Sequence, residues 1–495
     1  MSRHPQTGGR KRVGRVAQNG SVEHGSGNLR HILAPLALAQ FICSFAGSNM
    51  NVMITDISED LDTTVQGVQI AITLFLLVMA ALMIPGGKLT DKYGRKRCFL
   101  LGLIIYGVGA MLSAVSPNLG VLIIGYSILE GVGTALLIPP VYILTTLLFT
   151  EVTSRARAFG VISALGGIGA AAGPLIGGFI TSAISWRAAF LFQTLIIAVI
   201  ILLSRRIIDP LPPGPTRSFD TGGAILSAIG LVLVVIGILA ADNNIWVTVI
   251  LIIAGFLVLL LFFRSVRAKE RAGKEPLLST SLFRNRTSNF GLVTQNTQWL
   301  MLMGTSFVVS AYLQVIRGYN AIETGVIFTA ATVGLLASSL AAERLAKRYA
   351  QRTLIFAGFV LTIAGIGVLL LLVSGSPTAW AFAPGLLLIG LGLGAMLTPS
   401  VNVVQSSFAE SQQGEISGLS RSVSNLGSSL GTAVAGTILV AGITATPGRA
   451  YALAMTSLGV VGVIGLAAAV MLPGTLRTAT AQDVPQQGGP SGRER

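Results

Sequence analysis

Apolar residues along this chain come in long blocks, not in the alternating stripes of a water-facing fold. A helix that crosses a bilayer needs about 20 mostly apolar residues. The sequence holds fourteen such blocks, at 32–54, 66–86, 98–115, 119–140, 158–180, 188–204, 222–241, 246–264, 289–313, 322–342, 353–374, 381–405, 415–441 and 450–472. Each predicts one spanning helix. The seventh and eighth are parted only by Asp242-Asn243-Asn244. A single bent segment there would reverse the orientation of everything downstream. Residues 1–31 and 473–495 are polar and predict disordered tails.

Charge supplies the test of that count. Lys and Arg concentrate in cytoplasmic connections of membrane proteins. With the N-terminus inside, 30 of the 34 Lys and Arg fall in or beside inside segments. Arg187, Arg317 and Arg449 fall outside, and Arg421 falls within a block. The bias holds on both sides of the uncertain pair, so both termini are expected to be cytoplasmic. The net charge of +15 therefore reads as topology and not as nucleic-acid binding. Charged residues are only 11% of the chain, against roughly 25% in soluble domains. Glycine, at 59 residues, suits helices that must approach closely in lipid.

The chemistry available is narrow. His4, His24 and His31 all lie in or at the end of the N-terminal tail, and Cys43 and Cys98 are isolated thiols. No metal site, no cofactor site and no nucleophile–base constellation emerges. A phosphate loop of the G-x-x-x-x-G-K-[ST] kind is also absent, which argues against ATP as the power source.

Internal repetition organises the blocks. Leu89-Thr-Asp-Lys-Tyr-Gly-Arg-Lys96 parallels Leu345-Ala-Lys-Arg-Tyr-Ala-Gln-Arg352 at an offset of 256, with Lys347 opposite Asp91. Ala135-Leu-Leu-Ile-Pro-Pro-Val141 parallels Ala395-Met-Leu-Thr-Pro-Ser-Val401 at 260, and Gly160-Val-Ile-Ser-Ala-Leu165 parallels Gly414-Glu-Ile-Ser-Gly-Leu419 at 254. In the last pair, Gly173 and Gly177 fall opposite Gly427 and Gly431. Helices one to six thus repeat as nine to fourteen. The expected fold is an all-α polytopic membrane protein: a six-helix bundle (32–204), two inserted helices (222–264) and a second six-helix bundle (289–472). Parallel halves with a substrate path between them are one way secondary transporters are built.

Two motifs carry mechanics. Gly87-Lys-Leu-Thr-Asp-Lys-Tyr-Gly-Arg-Lys-Arg97 reads as a loop between the second and third helices. Gly87 and Gly94 permit a tight turn. Asp91, set among Arg95 and Arg97, can meet a helix N-terminus or an arginine in one state and lose it in another. A purely topogenic basic loop is the plain alternative. In the fifth helix, Gly169, Gly173 and Gly177 recur every four residues and form one smooth face, while Pro174 can bend the helix. Such a face lets a neighbour pack closely and slide; ordinary packing is the alternative.

These residues resemble a known family. The basic stretch is similar to the G-x-L-a-D-r-x-G-r-k signature of the major facilitator superfamily. Gly169-Ala-Ala-Ala-Gly-Pro-Leu-Ile-Gly-Gly178 is similar to the g-x-x-x-G-P-x-x-G-G signature of its drug-exporting antiporters. Trp186-Arg187, Phe219-Asp220-Thr-Gly-Gly-Ala224, Ser281-Leu-Phe-Arg-Asn-Arg286 and Tyr312-Leu-Gln314 resemble the fourteen-spanner drug:proton branch. The resemblance implies multidrug efflux against inward proton flow at a bacterial inner membrane, with small organic substrates, protons and lipid as partners and a functional monomer.

Two departures bear on the proton. The family's first helix often carries an acid where this chain has Ala46, in Phe45-Ala-Gly-Ser-Asn-Met-Asn51. Its fourth helix usually shows R-x-x-Q-G-x-G, and here Ser127-Ile-Leu-Glu-Gly-Val-Gly133 puts Ser127 for the arginine and Glu130 for the glutamine. Glu130 is the acid placed deep in a span. Such a group usually faces a cavity or holds a proton, so it is the expected coupling residue; a permanently protonated structural acid is the alternative. Arg421 is expected to snorkel toward the nearer surface. Gln40, Asn49, Asn51, Gln69, Ser127, Gln193, Gln295, Asn296, Gln298, Asn402 and Gln405 are candidates to line the central cavity. Each singly could instead bond helix to helix. Three competing readings stay open: a mover of lipids or metabolites without the usual proton pair, a sensor of the same fold that does not translocate, and a membrane enzyme.

Overall fold

The computed structural model describes residues 26–149, 151–205, 207, 209, 219–241, 244–346, 348–375, 378–408 and 412–474. Among these residues, fourteen helices are long and apolar enough to cross a membrane. In chain order they are α1 (Ile32–Asp60), α2 (Val65–Tyr93), α3 (Arg95–Ala114), α4 (Leu119–Leu148), α5 (Arg157–Ala183), α6 (Trp186–Ser204) and α7 (Thr221–Leu239). Then follow α8 (Ile245–Arg271), α9 (Arg286–Ile316), α10 (Ala321–Ala341), α11 (Gln351–Leu372), α12 (Ala379–Gln405), α13 (Gln413–Gly442) and α14 (Pro447–Val470). Strands are absent among the described residues. Most of the two expected tails, Lys347, and Asp242-Asn243 of the doubtful turn lie outside those residues.

The seventh and eighth blocks are two helices and not one bent segment. Asn244 caps α8, its side-chain oxygen accepting from the backbone N–H of Trp246 (2.9 Å) and Val247 (3.4 Å). Such a cap starts a new helix, so the chain reverses between them.

The basic stretch after the second block departs from the expected loop. It is helical up to Tyr93 and again from Arg95. Only Gly94 breaks the helix, with φ at 98°, a conformation open to glycine and strained for other residues. Gly87 makes no turn. It sits inside α2, where an added Cβ would meet only Pro139, at 3.9 Å. The polar residues that read as a loop are the last turn of α2 and the first of α3, where helix ends leave the apolar layer.

The halves repeat in their packing. α1 lies along α5 as α9 lies along α13. α4 sits between α2 and α3 as α12 sits between α10 and α11, and α3 meets α6 as α11 meets α14. The repeated glycines make the first of these pairs. A Cβ on Gly169 would stand 3.1 Å from Phe41 C, and one on Gly431 would stand 2.9 Å from Leu300 C. The smooth face of α5 therefore packs on α1 within its own half. Contact with the other half falls to neighbouring positions: a Cβ on Gly178 would press on the Ala321 backbone, and Pro174 presents its own backbone to Gly325 of α10.

Two seams join the halves, α2 with α13 and α5 with α10. The α2/α13 seam is stitched along its length. Gln69 Nε2 donates to Thr432 O (3.0 Å) and Ala433 O (3.2 Å), Ser429 Oγ to Thr73 O (3.0 Å), and Ser422 Oγ to Ala80 O. α7 covers this seam, with Val235 and Leu239 buried against Leu77 of α2 and Ala433 of α13. The α5/α10 seam is tight only in one half. Thr332 Oγ1 still reaches Ala171 O at 3.1 Å, but Gly167 and Gly160 of α5 meet nothing within 4 Å.

Asp220 ties α7 to α8 and to the connection that follows α8. Its Oδ1 accepts from Gly223 N at 2.7 Å as the N-cap of α7. Its Oδ2 accepts from Leu277 N at 3.0 Å, and Lys269 of α8 pairs with it. Burial works to raise this carboxyl, but the lysine and the two N–H groups outweigh it and hold it below the ordinary range. A depressed acid stabilises the fold above its unfolded value, and that contribution drains away as the pH falls below about 4. Asp220→Ala should lower stability by about 1–2 kcal/mol at neutral pH through the lost cap. Thermal melts of purified protein should show the gap narrowing below about pH 4.

Candidate functional site

The candidate site is the space between the halves. A cavity of about 690 Å³, counting its mouth, lies among α1, α5, α9, α10 and α12. From the first half come Ser48, Asn51, Ala170, Ala171 and Pro174. The second half supplies Leu302, Met303, Thr305, Ser306, Ser310, Phe328, Ala331, Thr332, Leu335, Leu386, Ile389, Gly390 and Leu393. Among the described residues lining it, none carries a formal charge. An apolar hollow with a few directed polar groups is the usual form of a small-molecule site.

Inter-half contacts lie toward both ends. The end with the Lys- and Arg-rich connections is called the basic end here and the other the far end. At the far end α1 tightens into a 3-10 turn over Met50–Met53. Irregular backbone at membrane depth is tolerated where protein or a cavity surrounds it. Gln314 of α9 fastens that turn: its Nε2 donates to Asn51 O at 2.8 Å and its Oε1 accepts from Thr55 N at 3.2 Å. Ser182 Oγ accepts from Ile322 N at 3.1 Å beside it. Asp60 braces the same end, accepting from Trp186 Nε1 at 3.0 Å and pairing with Arg187.

At the basic end Lys88 Nζ meets Glu415 Oε1 at 2.6 Å, from α2 to α13. Both side chains are partly solvated, so this pair contributes about 1 kcal/mol at most. Closure there rests more on Arg421 of α13. It does not snorkel into open water. Its guanidinium lies 4.7 Å over the Tyr142 ring and bonds the Tyr142 hydroxyl. Tyr142 passes the contact on, donating to Gln40 Oε1 at 3.2 Å and stacking on Phe159. One chain of polar contacts thus runs from α13 through α4 to α1.

The acid of the motif meets one of its expected partners. Asp91 Oδ1 lies 3.3 Å from Arg95 Nη2, one turn on. Arg97 lies exposed on the first turn of α3. The N-terminus of α3 is capped by another acid, Asp209 after α6, which accepts from Arg95 N at 2.6 Å and Lys96 N at 3.3 Å. A lone acid following Arg205 and Arg206 was the only sequence signal for it.

Of the expected cavity residues, Asn51 lines this cavity and most of the others bond to neighbouring groups. Gln69 stitches α2 to α13 and Gln40 receives Tyr142. Within the first half, Gln193 Oε1 accepts from Tyr106 at 2.6 Å, and Ser127 Oγ donates to Ala71 O at 2.7 Å. Within the second, Gln295 pairs with Ser420, Gln298 with Ser400, Asn296 with Val423 O and Gln405 with Ser417. Asn402 is half-buried near the basic end of α12. Asn49 is wholly buried against Gly177, and neither of its amide atoms has a partner among the described residues. In lipid a polar side chain gains most by bonding a neighbouring helix, which is why polarity alone was a poor guide to the cavity.

Glu130 lies inside the first half and does not line the cavity. It ends a π-helical stretch of α4, Ile123–Glu130, that packs on Gly109 of α3. Such π-turns occur often at functional sites. The side chain is fully buried, and neither carboxyl oxygen has a hydrogen-bond partner among the described residues. Its polar neighbours are Tyr106 and Ser113, both neutral. Their protons are committed elsewhere, to Gln193 Oε1 (2.6 Å) and Gly109 O (2.9 Å). An ionised Glu130 would have no committed donor.

Comparison with known proteins agrees with this architecture. The chain matches the model of the Major Facilitator Superfamily over residues 36–221 and 218–432. It is 30% identical to the puromycin resistance protein of Streptomyces alboniger, across 82% of this chain and 81% of that one. It is 27% identical to a multidrug efflux pump of Mycolicibacterium smegmatis (83% and 80%) and 28% identical to a probable actinorhodin transporter of Streptomyces coelicolor (79% and 69%). Among solved structures, a peptide transporter in complex with sulfate superposes with a TM-score of 0.67 at 16% identity, covering 93% of this chain and 98% of that one. At that identity the likeness concerns the fold alone. Family match, repeated halves and the cavity between them agree, and the chain belongs to the Major Facilitator Superfamily.

Proposed function

We propose that this chain exports small organic compounds, drugs or metabolites, by alternating access, against an inward flow of protons. The observation that carries the reading is the cavity lying between two sets of inter-half contacts. Gln314 and Gly178 hold the far end, and Arg421–Tyr142 with Lys88–Glu415 hold the basic end. Releasing one set while keeping the other opens the cavity to one side. The names of the relatives, among them a puromycin resistance protein and a multidrug efflux pump, support the direction and the cargo.

Within this reading the basic end faces the cytoplasm with both termini, as the distribution of Lys and Arg supports. The units are the bundles at 32–204 and 289–472 with the inserted pair at 222–264, acting as a monomer in a bacterial plasma membrane. Glu130 carries the proton. A carboxylate there would face two neutral neighbours without a counter-charge, which is costly in a membrane interior. Losing the proton therefore demands a change in how α3 packs on α4. That demand is what links proton release to a change of state.

Two experiments test the reading. Cargo is first chosen as a compound against which the chain protects a pump-deficient host. In proteoliposomes with an imposed pH gradient, Glu130→Gln should abolish gradient-driven accumulation of that compound while keeping exchange between equal concentrations. Wild-type, still proton-driven accumulation would remove Glu130 from the mechanism. The second concerns the far end. Gly178→Val should reduce export at least tenfold, because its Cβ would stand 3.0 Å from the Ala321 carbonyl carbon. Gly160→Val on the same helix should leave export near wild type, since nothing lies within 4 Å there. Equal export by the two variants would show that far-end closure is not required.

A further inference from the structure

We propose that the far end of the cavity recognises an uncharged amphiphile: a compound with an apolar body and one end that both donates and accepts hydrogen bonds. This rests on reading the chain as a transporter of small organic compounds, and it names the class that the site takes.

Three cavity-lining side chains carry the inference. Asn51 Oδ1, Thr305 Oγ1 and Ser310 Oγ have no hydrogen-bond partner among the described residues. Their residues are 3%, 2% and 0% exposed. Leaving such a group unpaired in a buried place is costly, so an end group that satisfies them recovers that cost. Gln314 holds two of the three together. Its amide nitrogen donates to Asn51 O at 2.8 Å and to Ser310 O at 3.2 Å. It is spent on backbone oxygens, and the side chains of Asn51 and Ser310 stay available. Together the three offer a carbonyl that only accepts and two hydroxyls that accept and donate.

Charge completes the argument. Among the described lining residues there is no acid to balance a cation and no base to balance an anion. Glu130 and Arg421, charged residue types within spans, are not among the lining residues. A charged ligand would give up its hydration without a counter-charge, a cost that an alcohol or amide avoids. The body of the ligand meets Leu302, Met303, Phe328, Leu386, Ile389 and Leu393, an apolar wall from three helices.

The test uses four probes that share one body: 4-butylbenzamide, 4-butylbenzoate, 4-butylbenzylammonium and 1-butyl-4-methylbenzene. Binding to the full chain in lipid nanodiscs is measured by equilibrium dialysis against discs of the same lipid without protein, and no gradient is present. The benzamide should bind at least fivefold more tightly than either charged probe. Asn51→Leu and Ser310→Ala should each weaken the benzamide at least fivefold and leave the apolar probe unchanged, which also reports that the variants fold. Thr305→Val keeps the side chain's shape and should weaken the benzamide alone, so the test survives if another variant misfolds. Equal or tighter binding of the benzoate or the ammonium overturns the proposal. So does wild-type benzamide affinity in all the variants, or no probe binding above empty discs. Selective benzamide binding without export in cells would count against the transport reading and leave this site standing. Export confined to charged compounds would count against this site and leave the transport reading standing.

Discussion

Close backbone contact between helices is what the rest of this structure depends on. Lipid gives no hydrophobic reward for bringing two apolar helices together. What remains is dispersion between surfaces that fit, and hydrogen bonds that lipid cannot supply. The chain meets both needs with small residues. Gly169, Gly173 and Gly177 seat α5 on α1, and Gly427 and Gly431 seat α13 on α9 in the same way. Serines, threonines and glutamines then stitch helix to helix, as Gln69, Ser422 and Ser429 do along α2 and α13. With each half rigid by these means, the cavity can form between them and the two seams can differ in tightness.

The membrane architecture was legible in the sequence because its signal is long and local. Blocks of about 20 apolar residues survive errors at their edges, and the positive-inside bias checked their number. The repeat was legible too, since Gly173 and Gly177 keep their spacing as Gly427 and Gly431. Local polarity misled at the basic stretch. Lys88, Asp91 and Lys92 look like loop residues, yet they extend α2 past the apolar layer to Tyr93.

The site was far less legible, for a physical reason. A glutamine in a span can face a cavity or a partner helix, and its identity does not say which. Gln193 and Gln298 found hydroxyl partners inside their own halves. Asn51 came to line the cavity, and Thr305 and Ser310, which line it too, carried no distinctive sequence signal. The basic-end contacts were equally hidden, because Lys88 and Glu415 stand 327 positions apart. Arg421, expected to snorkel toward the nearer surface, lies over a tyrosine face.

Gly94 has a mechanical consequence. A single residue joins α2 to α3, so the two helices have no slack between them. α2 is the helix bonded along its length to the opposite half, and α3 carries Tyr106 and Ser113 beside Glu130. In the proposed cycle, a shift of α2 against α13 would reach the surroundings of Glu130 through this one-residue corner, by way of α3 and not by way of the cavity.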